Sequence, residues 1–134
     1  VNAGFSEASP EALYAPVIAN SPYGFETLNV AAQQSDQKSL LNSMRRLIAV
    51  RKEHPLFGLG KFYQLPVESK AVFAYLRSNA HDRVYVVNNL SDQAQKISLP
   101  EKDLRLVDLL TGKDYSAEEI NLEPYEFLWL QDKK

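Results

Sequence analysis

Hydrophobic residues recur with two different periods along this chain of 134 residues, and the change falls near Pro55. Over residues 36–53 they recur with the period of an α-helix and fall on one face. That face consists of Leu40, Leu41, Met44, Leu47 and Ile48. The pattern predicts an amphipathic helix over 36–53, which Ser35 or Asp36 caps at its start and Pro55 ends.

From Gly58 onward the apolar residues recur at every second position, which is the period of a β-strand. Seven segments are predicted to be strands: Lys61–Gln64, Ala71–Arg77, Arg83–Asn89, Gln95–Leu99, Arg105–Leu109, Ile120–Leu122 and Tyr125–Leu130. Residues typical of turns, such as Thr111-Gly112, separate them. A strand at roughly every ten residues is typical of an antiparallel β-sandwich.

The last predicted strand is apolar on both of its faces. Tyr125, Phe127 and Trp129 alternate with Leu128 and Leu130. Such a strand is buried on both sides, so we expect it at the centre of the sandwich or under a cover.

Residues 1–34 carry few periodic signals and several residues that break helices and strands. Ser9 and Pro10 predict the start of a short helix that ends near Tyr14. Residues 20–24 predict a turn. A loop of this length usually has a function or lies against something large.

Together these patterns predict two domains. Residues 1–54 form a loop followed by one amphipathic helix, and residues 55–134 form an antiparallel β-sandwich. The predicted fold class is therefore α+β and mainly β.

Composition excludes several classes of protein. The chain is 45% hydrophobic and 24% charged with a net charge of −2, which is typical of a soluble globular protein and not of a disordered tail. Since basic residues form no stripe and no apolar run reaches about 18 residues, we expect neither a nucleic-acid partner nor a membrane span. We also expect no secretion signal, because no basic segment precedes an apolar one. The chain has no cysteine, which excludes disulfides, thiol nucleophiles and cysteine zinc sites and favours a reducing, cytoplasmic location.

Residues that commonly perform catalysis are sparse. His54 and His81 are the two histidines, and their spacing fits neither a serine triad nor a metal site. The densest acidic patch consists of Asp114, Glu118, Glu119 and Glu123. Nothing strongly apolar surrounds these carboxyls to raise their pKa values, so we interpret the patch as a solvated loop. We therefore predict no catalytic residue, no metal ligand and no cofactor site in this chain.

The length sets a further limit, since 134 residues are too few for a (β/α)₈ barrel of about 250 residues. The aromatic residues of the first part are candidates for sugar stacking: Phe5, Tyr14, Tyr23 and Phe25. The competing interpretation is that these rings anchor the long loop to the protein.

Several motifs resemble one enzyme family. They are NAGFS at residues 2–6, YGF at 23–25, LNV at 28–30, AQQ at 32–34, SLLN at 39–42, MRRLIAVRK at 44–52 and HP at 54–55. In this order they resemble the C-terminal part of the trehalose synthases, the maltose α-D-glucosyltransferases of glycoside hydrolase family 13 in the α-amylase superfamily. Weaker matches continue into the predicted sandwich, with AYLR at 74–77 and VNNLS at 87–91.

The resemblance implies a place in a larger enzyme. Residues 1–34 would be the loop after the eighth strand of a TIM barrel, residues 36–53 the eighth barrel helix, and residues 55–134 the C-terminal β-sandwich. The family's nucleophilic Asp, acid/base Glu and transition-state Asp lie on earlier barrel strands, so none is carried onto this chain. Because loops after barrel strands build the active-site face, the candidate substrate-side residues of the intact enzyme are Asn2, Phe5 and Tyr23.

The resemblance also implies the activity of the intact enzyme. It would interconvert maltose and trehalose by retaining glucosyl transfer through a covalent glucosyl-enzyme. Its substrates would be maltose, trehalose or an α-glucan, and the partner of its C-terminal part would be its own catalytic barrel. We expect no cofactor in this chain, whereas amylase relatives often hold calcium elsewhere in the enzyme.

Two other hypotheses stay open. The sandwich would be a carbohydrate-binding module if an aromatic platform stood outward, and its candidate residues are Tyr63, Tyr75, Tyr85 and Tyr115. Alternatively, the chain is an interaction domain that forms a homodimer through the exposed apolar face of its helix.

Overall fold

A computed structural model of the chain describes residues 7–16 and 22–133. The chain separates into two compact units, Val1–Ala49 and Val50–Lys134. The predicted domains, 1–54 and 55–134, stay a prediction.

The first unit contains a short 3-10 helix, a short α-helix and the start of a longer one. They are the 3-10 helix Pro10–Ala12, α1 (Val30–Ser35) and α2 (Leu40–Glu53). Ser9 precedes the 3-10 helix, but its side chain makes no capping hydrogen bond. Helix α1 lies in a segment predicted as loop. Asn29 caps it, because its Oδ1 accepts a hydrogen bond from the N–H of Ala32 at 2.7 Å.

Helix α2 begins at Leu40 rather than at the predicted Asp36. The carboxylate of Asp36 accepts a hydrogen bond at 2.8 Å from the backbone N–H two residues later, which holds the chain in a turn. The hydroxyl of Ser39 then accepts a hydrogen bond from the N–H of Asn42 at 3.2 Å and caps the helix. The helix ends at Glu53 as predicted, because a proline follows closely.

The second unit contains helix α3 and eight strands. They are α3 (Leu56–Leu59), β1 (Lys61–Gln64), β2 (Val72–Ser78), β3 (Arg83–Asn89), β4 (Gln95–Ile97), β5 (Arg105–Asp108), β6 (Asp114–Ser116), β7 (Ile120–Leu122) and β8 (Phe127–Asp132). Six strands form one sheet in the order β1-β2-β3-β8-β5-β6, and β4 pairs with β7 in a second sheet. All of these pairs are antiparallel.

The predicted fold class, mainly β with an antiparallel sheet, is confirmed. The predicted bounds of β2, β4 and β5 differ from the observed ones by one or two residues, and the prediction is also wrong for β6 and β8. Strand β6 was expected to be loop, because this short edge strand has no apolar alternation. Strand β8 begins at Phe127 rather than at Tyr125, which lies in a turn with a left-handed backbone at φ 57°.

Side chains from both sheets share one hydrophobic cluster. From the larger sheet it contains Val72, Ala74, Tyr85, Val87, Leu106, Leu128 and Leu130, and from the smaller one Ile97, Ile120 and Leu122. We call this side of the six-stranded sheet its inner face. Leu128 and Leu130 therefore point to the core together, as the period of two predicts.

The opposite side, the outer face, is covered in part by α3. Leu56 and Phe57 pack with Val84 and Val86 in a second buried cluster, and the rings of Phe57 and Trp129 lie 4.5 Å apart. The segment before β1 is thus a helical turn that fixes two apolar side chains on the sheet.

Gly60 allows this close approach of α3 to the sheet. A Cβ at this position would lie 2.7 Å from the Leu56 carbonyl oxygen and 3.1 Å from that of Ser78. Because both atoms belong to the backbone, we expect Gly60→Ala to destabilise the chain by about 2 kcal/mol in urea unfolding. A Cβ at Gly58 would meet nothing within 4 Å. Gly58→Ala is therefore the matched control, with a gain of up to about 1 kcal/mol, and equal losses at both positions would contradict the account.

Tyr85 places its ring in the core and its hydroxyl beneath a charged group. Arg83 forms ion pairs with Glu101 and, at 3.0 Å, with Asp132. The Tyr85 hydroxyl is buried and has no hydrogen-bond partner among the described residues. Burial raises the pKa of Tyr85 to about 12; the cation of Arg83 opposes this change, and the anion of Glu101 adds to it.

Tyr85→Phe tests this arrangement. Because the pKa of Tyr85 is higher in the folded chain than the ordinary value of 10.0, folding stability should fall as pH rises from about 10 to 12. The phenylalanine variant should lose this part of the alkaline decline and keep, or gain by about 1 kcal/mol, its stability at pH 7. Urea unfolding at pH 7 and along the alkaline range measures both effects. An unchanged alkaline decline in the variant would contradict the assignment.

Candidate functional surfaces

Of the three predicted substrate-side residues, the structure describes Tyr23. Asn2 and Phe5 lie outside the described residues. Tyr23 is exposed in a turn that follows Pro22, next to the buried Gly24. The carbonyl of Gly24 accepts hydrogen bonds from backbone N–H groups three and four residues later, at 3.0 and 2.9 Å. The role of Asn2, Phe5 and Tyr23 at a substrate pocket stays a prediction.

A polar network fixes the corner between α1 and α2, at the end of this loop. The Asn42 side-chain amide donates hydrogen bonds to the carbonyls of Gln33, Gln34 and Asp36, at 2.9 to 3.2 Å. The Gln33 side chain accepts one from the N–H of Leu41 at 3.0 Å. Gln33, Gln34, Leu41 and Asn42 belong to the motifs that resemble the enzyme family, so these motifs have a structural role: they set the corner.

Helix α2 carries an apolar face that the described residues, 7–16 and 22–133, leave largely exposed. Leu40, Met44 and Ile48 are between 47% and 73% exposed, and the helix has no buried residue. An amphipathic helix of this kind is stable when another element covers its apolar face. The helical spacing of apolar residues predicts this face, and its exposure is seen in the structure.

The outer face of the six-stranded sheet carries a second open apolar surface, of which the sequence indicated only the part on the last strand. Pairing aligns three rows across strands β2, β3 and β8 on this face. The rows are Phe73–Asn88–Phe127, Tyr75–Val86–Trp129 and Arg77–Val84–Gln131. The signal was present in the period of two, which puts Phe73 beside Tyr75 and Phe127 beside Trp129.

Aromatic rings cluster on this face beyond the part that α3 covers. Phe62 lies 5.1 Å from Tyr75, and Phe73 lies 5.5 Å from the same ring. Phe62, Phe73 and Phe127 are each between 38% and 51% exposed. The adjoining Val84 and Val86 are buried. One part of the apolar surface on this face is therefore covered, and the other part is exposed to solvent.

The acidic patch offers no catalytic pair. All four of its carboxyl side chains are exposed. Asp114 pairs with Lys133 at 2.6 Å, and Glu119 pairs with Lys96 at 2.9 Å. The hydrogen bond from Lys96 lowers the pKa of Glu119, which is the opposite of what a general acid needs.

Metal and membrane features are also absent from the described part. Within residues 7–16 and 22–133, no three histidine or acidic side chains group as metal ligands. His54 directly follows α2, and His81 lies in the loop after β2. Over the same ranges no helix has the length and hydropathy needed to cross a membrane.

The tyrosine platform proposed for sugar binding does not form. Tyr85 is buried in the core, and Tyr115 is partly buried against the same cluster. Tyr63 pairs with Leu76 on the inner side, whereas Tyr75 lies on the outer face. The condition set for a carbohydrate-binding module, that these rings stand outward together, is therefore not met, because the period of two divides them between faces.

Comparison with known proteins gives a family for the second unit. A family model described as the maltogenic amylase C-terminal domain matches residues 62–129, which is half of the chain. The fold is similar to that in a crystal structure of the trehalulose synthase MutB, with a TM-score of 0.75 and 24% sequence identity. That similarity covers 99% of this chain and 24% of the solved one.

Two curated relatives extend the match. The chain is 45% identical over 101 residues to the trehalose synthase/amylase TreS of Mycobacterium tuberculosis, covering 73% of this chain and 17% of that protein. It is 43% identical over 97 residues to the trehalose synthase of Thermus thermophilus, covering 72% of this chain and 10% of that protein. The chain thus spans less than a quarter of the length of each relative.

Proposed function

Because this chain belongs to the family of maltogenic amylase C-terminal domains, we propose that it is the non-catalytic C-terminal region of a longer cytoplasmic enzyme that interconverts maltose and trehalose. The partner of this region is the catalytic barrel of the same polypeptide. The maltose-to-trehalose reaction is the finer part of the proposal, and the two trehalose synthases that it matches at 45% and 43% identity support it.

The exposed apolar face of α2 is the observation that carries this proposal. Leu40, Met44 and Ile48 lie on one side of an amphipathic helix and stay open to solvent within their own unit. A surface of this kind marks an interaction site in a soluble protein. The last helix of a barrel has this property when it is separated from its neighbouring helices and strands.

Chemistry supports a structural role for the chain. Retaining glucosyl transfer needs two carboxyl groups about 5 Å apart, one of which acts as an acid. The acidic patch of this chain is exposed and partly paired with lysines, so it supplies no such acid. We infer that the chain completes the barrel wall with α2 and holds the loop of Tyr23 at the edge of the substrate pocket.

An activity comparison tests the proposal. The purified chain should convert neither maltose nor trehalose, whereas the natural polypeptide that contains it should interconvert them and release some glucose. Turnover by the chain that survives repurification would overturn the non-catalytic role. A natural polypeptide that leaves maltose unchanged would overturn the proposed reaction.

A homodimer through α2 would use the same surface and is distinguished by the oligomeric state. Sedimentation of the natural polypeptide and of the Met44→Lys variant measures this. We expect the variant to weaken the fold of the enzyme without changing its subunit number. A change from dimer to monomer with full stability would instead assign the face to a second copy.

A further inference from the structure

We propose that the edge of the six-stranded sheet at β1 binds an extended acidic segment of another protein, which adds to the sheet as one more antiparallel strand. This inference is independent of the reaction proposed above, because it adds a partner other than the catalytic barrel. All four residues of β1, Lys61–Gln64, are exposed. Strand β1 stands first in the order of the sheet and, among the described residues, pairs only with β2.

Two residues of β1 direct their backbone hydrogen-bonding groups away from the sheet. In an antiparallel pair, alternate residues bond to the neighbouring strand, and the residues between them face the other way. The Leu65 N–H donates a hydrogen bond to the Ala74 carbonyl of β2 at 3.0 Å. Two residues earlier, Tyr63 therefore also bonds to β2. The N–H and C=O groups of Phe62 and Gln64 consequently face outward, where an added strand can pair with them.

The two edges of this sheet differ in how they are shielded. Natural proteins protect a sheet edge with charged side chains, proline or a bulge. At the β6 edge, Asp114 pairs with Lys133 at 2.6 Å, and the Lys113 ammonium lies 5.0 Å from the centre of the Tyr115 ring. Strand β1 has Lys61 as its one charged residue, contains no proline, and pairs with β2 in a continuous register without a bulge. The β1 edge is therefore the more open to pairing.

A cleft lies at each end of the β1 edge. The cleft at the start of the strand has a volume of about 500 Å³ and is lined by Leu59, Lys61, Tyr63, Ser78, Asn79 and Ala80. The cleft at the end of the strand has a volume of about 440 Å³, and its lining includes Gln64, Lys70 and Phe73. Proteins that bind a peptide by strand addition use such pockets to receive its side chains.

Charge in the two clefts selects an acidic segment. Among the described residues that line them, the charged ones are Lys61 and Lys70, and neither forms an ion pair with a described residue. Both clefts are thus locally positive in a chain whose net charge is −2. A carboxylate on the added strand would lie beside a cation, whereas a basic segment would be repelled.

The side chains of β1 also set the order of residues on the added strand. Lys61 and Tyr63 lie on the inner side of the sheet, and Phe62 and Gln64 lie on the outer face. Side chains directly opposite on paired strands interact. The partner should therefore place an acidic residue opposite Lys61, apolar residues opposite the two rings and a polar residue opposite Gln64. On an antiparallel strand this order reads polar, apolar, apolar, acidic.

A short peptide with this order tests the edge in the 134-residue chain. The probe is acetyl-Ser-Thr-Val-Val-Glu-Ser-amide at about 1 mM, and amide NMR spectra of the chain record its binding. We expect the amide protons of Phe62 and Gln64 to shift at least about twice as far as that of Tyr63, whose N–H already bonds to β2. Unchanged signals of Phe62 and Gln64 would overturn the inference.

Methylated forms of the peptide test the backbone pairing without any change to the chain. Methyl groups on the nitrogens of threonine and the second valine, which lie opposite Gln64 and Phe62, should abolish the shifts. Methyl groups on the nitrogens of the first valine and the glutamate, which face away from β1, should leave the shifts in place. Equal binding of the two methylated peptides would overturn strand addition.

An exchange of charge tests the acidic character of the partner. The Lys61→Glu variant should bind the peptide about threefold more weakly, because the pair it removes is exposed. It should prefer a peptide with lysine in place of the glutamate. Lys113→Glu, at the opposite edge of the sheet, is the matched control and should bind both peptides as the unmodified chain does. A Lys61→Glu variant that behaves like this control would overturn the charge assignment.

Other outcomes would overturn the inference by assigning the edge to a different occupant. Shifts at Phe62 and Gln64 that grow with the concentration of the chain alone would assign it to a second copy, and the same shifts with maltoheptaose would assign it to a glucan. Fluorescence anisotropy of a fluorescein-labelled peptide extends the test to the natural polypeptide. Binding by the short chain but not by that polypeptide would assign the edge to the rest of the same polypeptide. None of these outcomes changes the expected conversion of maltose, so the proposed function stands or fails separately.

Discussion

Asn89→Ala is expected to destabilise the chain by about 3 kcal/mol, because one buried amide joins three segments. Its Nδ2 donates hydrogen bonds to the carbonyls of Gln93 at 2.7 Å and Glu123 at 2.9 Å. Its Oδ1 accepts hydrogen bonds from the N–H of Ser91 at 3.0 Å and from its hydroxyl at 2.8 Å. Alanine would remove all four hydrogen bonds in a place where Asn89 itself is 2% exposed.

The neighbouring asparagine provides a matched control. Asn88 donates one side-chain hydrogen bond, to the Phe73 carbonyl, and is only half-buried. Asn88→Ala should therefore cost less than about 1 kcal/mol. Asn89→Asp keeps the acceptor and loses both donors, so it should fall between the two alanine variants. Guanidinium unfolding of the unmodified chain and the three variants measures these differences. Equal midpoints for the two alanine variants would show that the buried amide of Asn89 stabilises the fold no more than that of Asn88.

Asp108→Ala should have an effect of similar size, about 3 kcal/mol. The carboxylate is 1% exposed at the end of β5. One of its oxygens accepts a hydrogen bond from the N–H of Trp129 at 3.1 Å. The other accepts two from Thr111, from the N–H at 3.1 Å and from the hydroxyl at 2.6 Å. The residue thus closes the turn between β5 and β6 and ties it to β8.

Asp108→Asn distinguishes the hydrogen bonds from the shape of the side chain. An amide fills the same space, but its NH₂ group would face donors from Thr111 or Trp129 and lose at least one of the bonds. We expect it to cost more than half of the alanine effect. Asp92→Asn, in the exposed loop after β3, is the control and should change stability by less than about 0.5 kcal/mol. Thermal unfolding measures both variants. A midpoint for Asp108→Asn that equals the midpoint of this control would contradict the assigned role.

The period of hydrophobic residues predicted the larger elements because burial on one face follows from spacing alone. It placed β1, β3 and β7 within their observed bounds and ended α2 at Glu53. It failed for α1 and β6, which are short and bury little apolar surface. Helix α1 depends on a local polar contact, its cap by Asn29, and β6 depends on its pairing with the preceding strand β5.

The buried polar residues could not be predicted because their partners are far away in sequence. Asn89 and Asp108 each follow or end a strand, which is typical of turn residues. Their burial depends on Glu123, 34 residues beyond Asn89, and on Trp129, 21 residues beyond Asp108.

For the candidate surfaces, too, the sequence predicts some features, and others are visible only in the structure. The apolar face of α2 follows from helical spacing, whereas its openness is visible only in the structure. The outer-face rings follow from the period of two, but which of them α3 covers depends on how Phe57 packs on the sheet. The substrate-side role of Asn2, Phe5 and Tyr23 stays a prediction of the resemblance.

The mass of the natural polypeptide is the most direct test of the central claim that this chain is the non-catalytic end of a larger enzyme. An antibody raised against the chain would detect that polypeptide in a lysate of the source organism. We predict a band heavier than 15.2 kDa by at least a barrel of about 250 residues, and immunoprecipitated material that interconverts maltose and trehalose. A band at 15.2 kDa would contradict the account.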